Sequence, residues 1–248
     1  RTTDGVTDWI HRRGAILNPT ITVTDGLVCF VESRDPATIE HPLGRIPLDD
    51  LNGNAHLVAL HETTGEIAWE VPLDLEGCRN IVYLAGRDGR LFLVGSQDAP
   101  DNDAAYYVRA FRTGSGDEIW RAAHRNLKPG ELYHGEQVHH PVVLDHVLVA
   151  EPFIYDLDTG ALRNPDDPII RPGHSCGTMS GARDCLFFRA GNPTVLDLTT
   201  GEFTRLSPSR LGCWINVLPA QGLVLIPEAS ASCVCHYALQ TSMAFRPR

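Results

Sequence analysis

No apolar run in this chain is longer than a β-strand, no cluster of Lys or Arg occurs, and no stretch holds a 3.6-residue apolar period. The first absence excludes a membrane-spanning helix. The second, with 21 Lys and Arg against 31 Asp and Glu and a net charge of −10, argues against nucleic acid and anionic membrane surfaces as partners. The third predicts almost no helix. The fingerprints G-x-S-x-G, P-loop, HExxH and the dinucleotide glycine motif are also missing, so serine hydrolysis and nucleotide chemistry have no support. No signal peptide is visible, and no two cysteines are adjacent, since Val234 separates Cys233 from Cys235.

What the chain has is a repeat. Short apolar runs end in small Gly-centred turns at Leu57–Trp69 and Val108–Trp120, and more loosely at Phe153–Leu162 and Thr194–Phe203. The turn glycines Gly65, Gly116, Gly160 and Gly201 are spaced by 51, 44 and 41 residues. Glycine supplies the positive φ of such turns, and Trp69 and Trp120 in the strand that follows are large enough to fill the wedge between neighbouring sheets. A second recurring unit, a turn and then a β-branched or aromatic run, falls at Asp25–Ser33, Asp88–Ser96, Asp145–Glu151, Asp184–Arg189 and Gln221–Glu228. Asn80–Leu84, Gln137–Leu144 and Ile215–Leu218 each add a strand before it. The pattern predicts an all-β protein, a β-propeller of about five four-stranded blades. The 43% hydrophobic content, 22 Gly and 17 Pro suit a turn-rich core of that kind.

The stretch Ala59–Trp69, with Gly65, and more loosely Ala110–Trp120, follows the pattern A-x-x-x-x-T-G-x-x-x-W. It resembles the tryptophan-docking repeat of PQQ-like (quinoprotein) β-propellers. The whole chain is similar to PQQ-like repeat proteins of planctomycete-type bacteria, through Gly14–Ser33, His134–Val143, His174–Thr178 and Gly212–Thr241. The resemblance implies seven or eight blades. Five countable units make residues 15–248 either a complete small propeller or, the favoured reading, the C-terminal part of a larger ring. Residues 1–14 are then an N-terminal connection or closing strand, and Asp8–Arg13 reads as the connection. The resemblance does not bring PQQ with it. Quinoprotein dehydrogenases hold that cofactor against a disulfide of adjacent cysteines and use a metal gripped by carboxylates, and this chain shows neither arrangement. Asp98–Asp103 is acidic, but reads first as a solvated loop and only second as a calcium site.

Five of the seven cysteines, Cys176, Cys185, Cys213, Cys233 and Cys235, fall in the last 73 residues. Disulfides in a periplasmic or extracellular protein are the weightier reading. The alternative is a thiolate metal site built from Cys213, Cys233 and Cys235 with Cys176 or His174, or with His236, which would suit zinc or Cu(I). Cys29 and Cys185 sit in apolar strand patterns and read as buried thiols, whereas Cys78 reads either way. Trp214 reads as a core ring beside Cys213.

His134, His139 and His140 fall within seven residues, with Tyr133 beside them. Adjacent strand residues point to opposite faces, so one strand cannot present all three together. Propeller polysaccharide lyases use a His/Tyr/Arg set to take a proton beside a uronate carboxylate. His139, Tyr133 and Arg189 or Arg171 are candidates for those parts. The plainer reading is that His139 and His140 open a strand and hydrogen-bond to their neighbours. Arg189, which ends the run CLFFR, could bind an anion or pair with Glu228. Three functions stay open: a non-catalytic binding or assembly module outside the cytoplasm, with a protein or carbohydrate ligand; a carbohydrate-active lyase or hydrolase; and a Cys/His metal-binding protein. A propeller hosts all three.

Overall fold

The computed structural model describes residues 4–41, 53–75, 78, 81–99, 103–125, 140–172, 177–207, 217–227 and 242–246. Among the described residues, five antiparallel sheets follow one another along the chain. The first joins β1 (Ala15–Ile16), β2 (Thr22–Thr24), β3 (Leu27–Ser33), β4 (Ala55–His61) and β5 (Ile67–Pro72). The second runs in simple order through β6 (Ile81–Arg87), β7 (Arg90–Ala99), β8 (Asp103–Arg112) and β9 (Glu118–Arg125). The third is β10 (Val142–Val143), β11 (Val147–Ala150) and β12 (Phe153–Asp156). The fourth is β13 (Ser180–Ala182), β14 (Cys185–Ala190), β15 (Asn192–Asp197) and β16 (Phe203–Arg205). The fifth is β17 (Leu218–Ala220), β18 (Leu223–Ile226) and β19 (Met243–Phe245). Among the described residues the only helices are a single α-turn, Pro36–Ile39, and a 3-10 turn, Asn18–Thr20. No helix among them is long and apolar enough to cross a membrane.

Two compact units divide the chain: Arg1–Glu131 with Asp158–Gly160, and Leu132–Leu157 with Ala161–Arg248. Within each, the central strands are apolar without alternation because both of their faces are buried. On β4, Leu57 and Ala59 join a core with Val31, Leu91 and Leu93, while Val58 and Leu60 pack on Phe30 from the opposite face. On β14, Leu186 and Phe188 pack with Leu144 and Val149, and Phe187 packs with Val217 and Ile226. A sheet buried on both faces is what a propeller blade is.

Two kinds of turn drive the repeat. Asp25–Gly26, Asp88–Gly89 and Gln221–Gly222 each take positive φ at both residues, which is the mirror-image turn that matches strand twist in a two-residue hairpin. The second kind carries Gly65, Gly116, Gly160 and Gly201, with φ between +70° and +76°. The acidic run Asp98–Asp103 is flanked by strand, β7 pairing with β8 as far as Ala99 and Asp103.

Candidate functional site

Three tryptophans sit on turn glycines. A Cβ on Gly65 would stand 2.5 Å from the Trp9 ring, one on Gly116 2.6 Å from Trp69, and one on Gly160 2.5 Å from Trp120. Two of the indoles also donate to the backbone of the turn they cover. Trp9 Nε1 reaches the Glu62 carbonyl at 2.9 Å and Trp69 Nε1 the Thr113 carbonyl at 2.7 Å. Only a residue without a side chain lets the ring lie flat on the backbone. Trp9 lies in the segment whose sequence reads as a connection. Trp9 and two ion pairs attach that segment to the first sheet.

Those ion pairs belong to a cluster that the sequence did not reveal. Glu32, whose side chain is fully buried, accepts from His11 Nε2 at 2.7 Å and Arg34 Nε at 2.8 Å. Arg34 also donates to Glu70 through both terminal nitrogens, at 3.2 and 2.8 Å, and Arg13 reaches Glu70 at 2.8 Å. The Arg34 guanidinium holds the Glu70 carboxyl below its ordinary range. Each charge in this chain of pairs is answered by its neighbour, which is the condition for burying one. The signal lay in the odd polar residues closing an apolar strand, Glu32 and Ser33 at the end of β3.

Of the residues singled out from sequence as catalytic or metal-binding, His140, Arg171 and Arg189 are described. Tyr133, His134, His139, His174, Cys176, Cys213, Cys233 and Cys235 lie outside the described residues, as do Trp214, Glu228 and His236. His140 precedes β10 and donates from Nδ1 to the Pro141 carbonyl at 3.0 Å. Burial lowers its pKa, partly offset by that bond. Arg189 is fully buried on β14, on a different sheet, and shares the face of Phe187. The second arginine candidate, Arg171, is buried and committed. It forms a bidentate pair with Glu151, both contacts at 2.8 Å, and donates to the Gly177 carbonyl at 3.0 Å. Burial pushes the Glu151 carboxyl up, and Arg171 draws it part of the way back.

The described cysteines, Cys29, Cys78 and Cys185, are free thiols. Burial raises Cys29 to about 12 and Cys78 to about 11. Cys185 is half-buried rather than buried, because it opens β14 at the turn instead of sitting inside the strand. Among the described residues no three His, Cys, Asp or Glu side chains gather as metal ligands would.

The second unit contains a cleft of about 620 Å³. Its walls include Ile154, Asn164, Leu196, Leu198, Gly201 and Phe203, and its rim carries Asp145, Asp167, Asp184 and Arg183. A space of that size falls in the usual range for ligand sites.

No protein-family model matches this chain, and no curated protein matches it either. Among solved structures, BamB from Moraxella catarrhalis is similar over 93% of this chain, with a TM-score of 0.52 and 16% identity. The chain spans 61% of that protein's length. Quinohemoprotein alcohol dehydrogenase from Comamonas testosteroni matches at a TM-score of 0.41 and 14% identity, over 84% of this chain and 40% of its own. The WD40 domain of SCAP from fission yeast matches at 0.41 and 10%, over 95% and 67%. With the five sheets above, the likeness to BamB makes the fold a β-propeller, similar at a distance to the PQQ-like kind.

Proposed function

We propose that this chain is a non-catalytic binding or assembly module of the PQQ-like repeat type that works outside the cytoplasm. One observation carries the reading: the described buried charged groups are closed on one another, while the charged residues that line the cleft, Asp145, Asp167, Arg183 and Asp184, are exposed to solvent. Glu32 is closed by His11 and Arg34, and Arg171 by Glu151. The cleft offers apolar walls and a charged rim, which serve recognition rather than bond-breaking. Trp9, Trp69 and Trp120 lying on turn glycines support reading the repeat as a tryptophan-docking one. The ligand is a protein or a carbohydrate, and neither nucleic acid nor a membrane interior suits a chain of this charge and build. Residues 15–248 form the propeller or part of a larger ring, with residues 1–14 closing its first sheet.

The test is turnover. Purified chain incubated with uronate-containing polysaccharides and common glycosides should release no product. Unsaturated uronate that disappears on His139→Ala and Tyr133→Phe would overturn this reading in favour of a lyase. Thiol counting under non-reducing conditions belongs to the same test. Closed disulfides among Cys176, Cys213, Cys233 and Cys235 support export. About one zinc or copper per chain, lost on Cys213→Ser or Cys235→Ser, would instead make it a metalloprotein.

A further inference from the structure

The fourth Gly-centred turn differs from the other three. Trp69 and Trp120 each stand four residues beyond a turn glycine, Gly65 and Gly116, and pair across their hairpins with Ala59 and Ala110. Just inside those pairs Leu60 faces Ile67 and Phe111 faces Glu118. The third hairpin has the same register, with Tyr155 facing Leu162 around Gly160. The position of the two tryptophans is therefore held there by Asn164.

Asn164 does not reach outward. Its Oδ1 accepts from the Ile154 amide at 2.7 Å, and its Nδ2 donates to the Asp167 carbonyl at 3.0 Å. Among the described residues, none places an atom within 4 Å of where a Cβ on Gly201, at φ +72°, would stand. Both residues line the 620 Å³ cleft. The cleft thus stands where the sheets before it keep an indole.

We propose that this cleft binds an indole ring, presented by a basic, tryptophan-bearing segment of a partner protein. The ring lies on Gly201 and its N–H donates to the Leu198 carbonyl. That carbonyl is three residues before the glycine, as Glu62 is before Gly65 and Thr113 before Gly116. Ile154, Leu196 and Phe203 supply the apolar walls that an aromatic anchor needs. The basic flanks follow from the rim. Asp145, Asp167 and Asp184 are exposed residues of the cleft lining, while Arg163 is held by Asp156, and His146 and Arg183 are the other exposed polar groups there. This deepens the binding-module reading and rests on it.

The test uses the full chain and the blocked tripeptide Lys-Trp-Lys carrying 5-fluorotryptophan, followed by fluorine NMR. Saturable binding is expected. It should weaken about tenfold or more when leucine replaces the tryptophan, and fall as salt is raised. Asn164→Trp supplies the ring from within, so it should abolish peptide binding and raise the Tm. Ile170→Trp, at a half-exposed rim position, should block the mouth if the first variant folds poorly. No saturable binding, or binding that both variants leave intact, would overturn the proposal. So would tighter binding of free indole than of the tripeptide, which would make the ligand a small molecule. Peptide binding seen only in Trp214→Phe would show that the chain fills its own cleft. None of these outcomes touches the turnover test above, so failure here leaves the broader reading standing.

Discussion

Gly116 and Gly201 share a left-handed backbone, at φ +76° and +72°, yet among the described residues a ring covers Gly116 and none covers Gly201. A methyl at either position incurs about 1–2 kcal/mol of left-handed strain. At Gly116 it must also displace Trp69. Gly116→Ala should therefore destabilise the protein measurably more than Gly201→Ala in paired denaturant melts, and the difference reports the seated ring. Glu32 makes a second residue-scale case. Its carboxylate is buried between His11 and Arg34, so Glu32→Ala leaves the His11 Nε2 and Arg34 Nε donors without their acceptor and should cost about 1–3 kcal/mol. The thiols make a third. With Cys29 raised to about 12 and Cys78 to about 11, both stay protonated at pH 8 as well as buried. Alkylation without denaturant should spare them and modify Cys185 first among the described three, as mass spectrometry of digested protein would show.

Strands and turns were the most legible elements. The five turn-led apolar runs correspond to β3, β7, β11, β14 and β18, because the turn residues ahead of each fix where pairing begins. Continuous runs such as LVAL and CLFF were readable as doubly buried blades for the same physical reason that they lack alternation. What could not be read was which residues meet across the repeat. Trp9 stands four residues beyond Gly5, itself at φ +71°, as Trp69 stands beyond Gly65, but its seat on Gly65 depends on a hairpin that begins some fifty residues later. The Glu32 cluster was hidden likewise, since His11, Glu32 and Glu70 come from three separate segments. Cys185 was misjudged for its place at a strand's first residue. At the fourth turn, Asp197 Oδ1 accepts from the Thr199 hydroxyl and from the Thr199 and Thr200 amides, the amides at 2.7 and 3.2 Å, and these bonds, the hydroxyl's first, hold its pKa down. Asp197→Ala should speed hydrogen exchange at those two amides while leaving β14 and β15 protected.

For the whole molecule, the depressed carboxylates set the acid limit. Glu70, Glu118 and Asp197 all titrate below their ordinary values. Their contribution to stability is present above the unfolded pKa of about 4 and is lost as pH falls through the lower folded values. Glu151, whose pKa is raised, acts in the opposite sense: its share is largest in acid and declines as pH rises through its folded value. The three outnumber the one, so Tm should hold from neutrality to about pH 5 and then drop steeply below about pH 4, a trend that scanning calorimetry would follow. Glu70→Gln should flatten that drop. The seated tryptophans bear on a different matter, the order in which the chain acquires its shape. Trp9 finds its carbonyl 53 residues on, and Trp69 finds its own 44 residues on. A growing polypeptide therefore needs to have emerged by only about fifty residues past a ring before that joint can close. The first sheets can lock while the later ones are still being synthesised, and a ribosome stalled midway would hold a finished beginning rather than a tangle.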